Sequence, residues 1–203
     1  MIQWILYAPI SLAFYVLSLV INPLLPLFAD IRGELPGLLG RLFQTWDNSL
    51  DCSDTVDILP SWLMKYWSKH YVEHKDTTPE LEAVGQSRWF VECINPDFTL
   101  WERICRYIAR TYWLYRNASY GVNFWYLGIL SQAGYFVERG HLLVDERLGL
   151  AAPFAYKNSD LLVSIGKLRV YANIYVGWKI DEGKDDCLCM YAFRPISFKF
   201  KWE

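Results

Sequence analysis

Apolar and polar positions follow three different rhythms along this chain. From Ile2 to Val20 the sequence reads IQWILYAPISLAFYVLSLV, broken only by Gln3 and two serines, and no Asp, Glu, Lys, Arg or His precedes Asp30. At about 1.5 Å rise per residue, roughly twenty apolar residues cross a hydrocarbon core about 30 Å thick. The stretch from Ile2 to Asn22 is therefore long enough for a transmembrane helix. Pro9 lies inside it, where a membrane helix tolerates proline better than a soluble one does. Asn22-Pro23 followed by Pro26 predicts the stop, because the residue before proline is pushed out of helical geometry.

The second rhythm is helical. Trp101, Ile104, Cys105, Ile108, Tyr112 and Tyr115 recur at three- and four-residue spacing, which predicts a helix over Leu100 to Arg116 with an apolar stripe. Thr99 with Glu102 three positions later has the form of a capping box at its start. Arg103, Arg106 and Arg110 form a basic stripe beside the apolar one. A second helix is predicted over Leu59 to His74, carrying Trp62, Met64 and Trp67. The third rhythm has period two. Leu168, Val170, Ala172, Ile174, Val176, Trp178 and Ile180 alternate with polar or tyrosine positions, then Asp181 to Asp186 make a turn around Gly183. Ile196, Phe198, Phe200 and Trp202 resume the alternation, with Lys199 and Lys201 suited to guarding an edge strand.

The intervening stretches are less regular. Asp30 to Asp57 is acidic and rich in turn residues, and Asp76 to Ser87 reads as a solvated connection. Asn117 to Val137 is a second uncharged run, but Gly121, Gly128 and Gly134 weaken it as a span, so it reads as buried or re-entrant. Together the patterns predict an α+β protein: an N-terminal transmembrane helix, amphipathic helices, and a small antiparallel β-meander at the C-terminus. The corresponding divisions are a membrane anchor over 1–29, an acidic and helical region over 30–98, and a helix plus meander over 99–203.

Composition narrows the function classes. A chain of 203 residues that is 53% hydrophobic and 21% charged can fill a packed core and is not a disordered tail. A net charge of −2 argues against a nucleic-acid partner held through a basic surface. Ten Trp and fourteen Tyr suit the headgroup level of a bilayer, where one end of each ring is apolar and the other can hydrogen-bond. Cys52, Cys93, Cys105, Cys187 and Cys189 form no CxxC pair, which favours free thiols over a disulfide framework. The N-terminal run lacks the basic start and small-residue site of a cleaved signal peptide. Arg32 and Arg41 follow it with nothing basic before it, leaning toward a cytoplasmic C-terminal domain.

Candidate chemistry is sparse. His70, Glu73 and His74 spell H-x-x-E-H, which on a helix would place both histidines on one face for zinc. Glu146 is a conceivable third ligand only by its distance along the chain, and a solvated helix face is the plainer explanation. In TWDNSLDCSDTVD, the residues Asp47, Ser49, Asp51, Asp54 and Asp57 offer oxygens at near-alternate positions for a divalent cation, with Asp47, Asp51 and Asp54 as the first candidates. An EF-hand is excluded by Cys52 where glycine is needed and Ile58 where the bidentate Glu belongs, and turn and cap chemistry explains the same residues. For the basic helix, Trp101, Arg103, Arg106, Arg110 and Trp113 are candidate membrane-interface residues, with Arg reaching anionic headgroups. A solvated face on a core-packed helix is the competing explanation.

The segments FQTWDNSLD (Phe43 to Asp51), WLYRNASYG (Trp113 to Gly121) and YVGWKI (Tyr175 to Ile180) resemble an uncharacterised protein family encoded by tailed phages and prophages. The resemblance covers most of the chain apart from Lys65 to Ser87. It implies an N-terminal apolar segment, an acidic turn, an aromatic helix ending in Arg-Asn, and a short β-region, with no assigned chemistry or cofactor. Family members commonly carry a glycine after the Leu-Asp, and Cys52 departs from that. The expectation is a non-enzymatic, phage-encoded protein whose partner is the lipid bilayer, the host inner membrane, and through it a host or phage membrane protein. Two alternatives remain: a metal-dependent hydrolase or transferase acting on a membrane-proximal substrate, and a virion component that inserts into membrane during genome delivery.

Overall fold

The computed structural model describes residues 2–45, 48–56, 58–76, 88–127, 129–132, 155–180 and 187–202. Its first element is helix α1, Ile2–Ile21, with Pro9 inside it. Among the described residues α1 alone is long and apolar enough to cross a membrane, and 17% of Trp4–Ile21 is buried. The helix ends where expected: the Asn22 amide still bonds to the Ser18 carbonyl, and the chain then turns through a short 3-10 segment, Leu25–Leu27, around Pro26.

Helices α2 (Gly37–Phe43), α3 (Ser61–Met64) and α4 (Trp67–His70) are short. Helix α5 runs from Leu100 to Arg116, with both halves of the Thr99–Glu102 capping box made. Helix α6, Tyr120–Trp125, follows after Ser119, which takes a left-handed backbone at φ 62°. The predicted helix over Leu59 to His74 is corrected. It breaks into α3 and α4, and from Tyr71 the chain becomes strand β1, Tyr71–Asp76, paired antiparallel with β2, Arg88–Cys93. Tyr71 is buried and Val72 exposed, a period-two alternation too short to stand out beside the helical residues before it.

The C-terminal sheet contains β3 (Ile129–Gln132), β4 (Ala155–Ile165), β5 (Leu168–Ile180) and β6 (Cys187–Trp202), ordered β3-β6-β5-β4 with antiparallel neighbours. The fold is therefore α+β, with an apolar N-terminal helix and a C-terminal antiparallel meander. Strand β5 has the predicted boundaries. Strand β6 begins earlier than its alternation suggested, and β3 and β4 were not anticipated. Ile165 pairs with Leu168 across a two-residue turn in which Gly166 takes φ +56°. The predicted turn at Asp181 to Asp186 lies outside the described residues. Of the second uncharged run, the described part divides between α6 and β3 and forms no continuous helix. Cys52, Cys93 and Cys105 are free thiols.

Burial is organised in three clusters. Leu63, Met64, Tyr66, Tyr71, Val91 and Phe98 pack with Cys105 and Ala109 of α5 beneath the β1–β2 hairpin. Leu25, Leu35, Phe43 and Leu50 pack with Trp113 and Leu114, and Phe14 of α1 leans on them. Trp4, Val122 and Leu127 form the third cluster, with Val176 and Phe193 of the sheet against it. Helix α1 thus packs along its length on α2, α6 and the sheet.

Candidate functional site

The most densely bonded polar group in the described structure is the carboxylate of Asp51, fully buried between the turn at 29–35, β1 and α5. Arg110 grips it with both arms of its fork, Nε to Oδ1 at 2.9 Å and Nη2 to Oδ2 at 2.6 Å. Oδ2 also accepts from the Tyr71 phenol at 2.9 Å and from Arg106 Nε at 3.4 Å. One carboxylate against two guanidiniums leaves positive charge over, and backbone carbonyls take it up. Asp30 O accepts from both arginines at 2.7 and 3.1 Å, and Ile31 O from Arg106 at 3.1 Å. Burial opposes the Arg110 charge, but the Asp51 carboxylate beside it outweighs that and holds the group protonated above its ordinary range. Burial, then the Asp51 charge, pushes the Tyr71 phenol up, so it remains a donor.

This cluster explains an unusual orientation. Two arginines of the α5 stripe face inward, Arg110 buried and Arg106 over the rings of Phe98 and Tyr71 at 4.7 and 5.8 Å, while Arg103 is exposed. Cys105, Ala109, Trp113 and Leu114 are buried beside them, and a second apolar face of the helix is turned out: Leu100, Trp101, Ile104, Tyr107 and Ile108 are all exposed. Soluble helices bury that face. The same inversion appears on α1. Its buried stripe, Trp4, Ser11, Tyr15 and Ser18, continues to Asn22, while Ile5, Leu6, Ile10, Leu12, Val16, Leu17, Leu19 and Val20 are exposed. Ser11 Oγ donates to Asn123 Oδ1 of α6 at 2.7 Å, and Ser18 Oγ bonds back to Phe14 O. On α1 the serines point into the protein and most aliphatic groups point out.

The two outward faces adjoin. Tyr107 of α5 donates to Pro23 O and Tyr115 donates to Leu19 O at 3.0 Å, which ties α5 beside the end of α1. Between them Leu24, Leu27, Phe28 and Ile31 are exposed as well. At the far end of α5, Trp101 stacks on Trp62 with centroids 6.5 Å apart, and both indoles are more than half exposed.

Of the residues expected at a membrane interface, Trp101 and Arg103 are exposed, Arg106 is partly buried, and Arg110 and Trp113 are buried. Of the expected cation ligands, Asp47 lies outside the described residues, Asp54 is exposed, and Asp51 has its oxygens committed to arginine and tyrosine. Asp57 and Glu146 also lie outside the described residues. The H-x-x-E-H residues do not share a face, because α4 ends at His70 and Glu73 and His74 lie on β1. Glu73 accepts from the Ser53 amide, and His74 faces Glu92 at 3.2 Å. Among the described residues no cluster of His, Cys, Asp or Glu could hold a metal ion. Sequence reasoning missed Tyr71 as a donor to Asp51 and the Ser11–Asn123 bond. Ser11, Ser18 and Asn22 at seven- and four-residue spacing were the available signal for the second.

The start of α5 carries a pH-sensitive contact. The Lys69 ammonium at 2.9 Å, then the Thr99 amide and hydroxyl, hold the Glu102 carboxyl down from 4.5 to about 2. His70 is fully buried and stacks on Phe98 at 4.0 Å. Its Nδ1 lies 2.7 Å from Asn95 O, which can only accept, so Nδ1 carries a proton. Because the Glu102 value is depressed on folding, its contribution is complete above 4.5 and disappears as pH falls toward 2. Glu102→Gln is expected to lower stability at pH 7 and to flatten the acid limb of a denaturation-midpoint profile between those values.

Neither a curated protein nor a solved structure matches the chain. A family model does match, over residues 1–202. The chain belongs to that family, the family of unknown function DUF7338.

Proposed function

We propose that this is a membrane-attached, non-enzymatic protein that acts by contact at a lipid bilayer. The observation that carries the reading is the reversed polarity of α1, whose Ser11 and Ser18 are buried while its aliphatic side chains face outward. In water, leaving that many aliphatic groups exposed forfeits about 25 cal/mol per Å² of apolar surface. In lipid the same arrangement is favourable, because Ser11 and Ser18 are satisfied internally and the hydrocarbon meets hydrocarbon. The likeness of FQTWDNSLD, WLYRNASYG and YVGWKI to phage and prophage proteins supports a setting in the infected cell, at the host inner membrane with the C-terminal part on the cytoplasmic side. Modifying the envelope, excluding other phages, and assisting assembly or lysis are roles that need only contact with the bilayer or with a protein in it.

Fractionation of the expressed full chain tests the attachment. The protein is expected in the membrane pellet after a carbonate wash and in the supernatant after detergent. Recovery in the soluble fraction without detergent would refute the reading.

A further inference from the structure

Resting on that attachment, the geometry points to a specific seating: we infer that α1 lies along one leaflet rather than across the bilayer, and that the outer face of α5 enters the same leaflet. The argument starts from what runs beside α1. Trp4 meets Phe193 of β6 edge-on at 5.2 Å, near the first turn of the helix. Farther along the strand, Phe200 meets Tyr112 of α5 at 5.8 Å, one turn from the Tyr115 that bonds to Leu19 O. The path from Trp4 to Leu19 is about 23 Å of helix, and that from Phe193 to Phe200 is about 23 Å of strand. The sheet therefore flanks α1 over most of its length.

A crossing helix would carry that sheet to hydrocarbon depth. There Asp160 of β4, exposed and bonded to Asn158, would face lipid. Exposed carboxylates do not persist in hydrocarbon. Laid flat, the molecule avoids this. The aliphatic face of α1, then Leu27 and Phe28, then Ile104 and Ile108 of α5 enter the leaflet, and Asp160 stays out of the hydrocarbon. An in-plane helix normally needs a charged face of its own. Here the inward stripe of α1 rests on protein instead, through Ser11 and Asn123, so none is required. The stacked Trp62–Trp101 pair then sits where indoles concentrate, at headgroup level.

Terminal tags on the full-length chain in bacterial membranes test the seating. Protease is applied to spheroplasts and, separately, to inverted vesicles. Both tags are expected to be cut in one preparation and protected in the other. Tags cut from opposite faces would overturn the in-plane seating while leaving membrane attachment standing. A chain absent from the membrane fraction, or a soluble dimer covering this face, would overturn attachment and with it the inference. The doubly substituted Ile104→Glu/Ile108→Glu chain is expected to lose about tenfold or more of its retention in a carbonate wash. Undiminished retention, with the wild-type circular dichroism spectrum, would remove α5 from the lipid surface. The tag result on the unmodified chain holds even where that variant misfolds.

Discussion

Replacing Asp51 with alanine is expected to cost about 3–5 kcal/mol of folding stability, the largest loss from any single polar substitution in the described structure. The carboxylate is buried with no exposed oxygen, so its removal strands the buried Arg110 and takes the nearest carboxylate from the partly exposed Arg106. The Tyr71 phenol loses its acceptor at the same time, although Ile31 O at 3.2 Å remains. The loss would be structural in its reach, because the arginines also clamp the carbonyls of Asp30 and Ile31. Denaturant unfolding of the detergent-solubilised protein, followed by tryptophan fluorescence, measures it. Asp54→Ala serves as the control, since Asp54 is exposed, and is expected to stay within about 0.5 kcal/mol. Replacing Asp51, Arg106 and Arg110 together with apolar residues of similar volume is expected to be milder than Asp51→Ala, because no charge is then left unpaired. A destabilisation below about 1 kcal/mol for Asp51→Ala would mean that the cluster does not hold α5 in place.

The second large effect is expected at Gly121. A Cβ built there would lie 2.6 Å from Arg41 O, 2.8 Å from Gln44 O and 2.9 Å from the carbonyl carbon of Leu42. All three are backbone atoms, so no rotamer change makes room. Gly121→Ala must push α6 away from α2. Alanine's better helix propensity returns about 1 kcal/mol, whereas overpacking a rigid contact costs about 1–3 kcal/mol or more. With three backbone atoms inside 3 Å the cost lies toward the upper end, and the net expectation is a destabilisation of about 1–2 kcal/mol, with Gly121→Val worse because β-branching adds bulk at the same point. Midpoints from the same unfolding experiment decide it. An alanine variant as stable as the parent would show that the two helices are not in backbone contact.

How far the sequence predicted this structure depends on how far apart the interacting residues are. Helix α5 was legible in detail, because its cap and both stripes are set by neighbours three and four positions apart. Strand β5 was legible because an alternation of a dozen or so residues has no helical competitor. The direction in which α5 faces was not legible. Only Asp51, more than fifty positions earlier, draws Arg106 and Arg110 in and turns Ile104 and Ile108 out. Helix α1 was recognised from its lack of charge, but its docking on Asn123 is a contact across 112 positions that no local pattern encodes. The H-x-x-E-H motif misled for the opposite reason. Its spacing presumes a helix, and pairing of Tyr71 to Asp76 with a strand beyond the next connection replaced that helix. The acidic cluster was read as a set of equivalent oxygens, whereas burial separates Asp51, held by arginine, from Asp54 on the surface.

The Ser11–Asn123 bond also bears on how the chain is made. During synthesis α1 leaves the ribosome 112 residues ahead of the asparagine that meets it. At about 5–20 residues per second, that is an interval of roughly 6–20 s. Over that time Ser11 lacks its partner, and an aliphatic helix alone in water invites aggregation. A nearby leaflet would shelter it until α6 and the sheet arrive to complete the contact. A segment translated early would then be among the last to find its place.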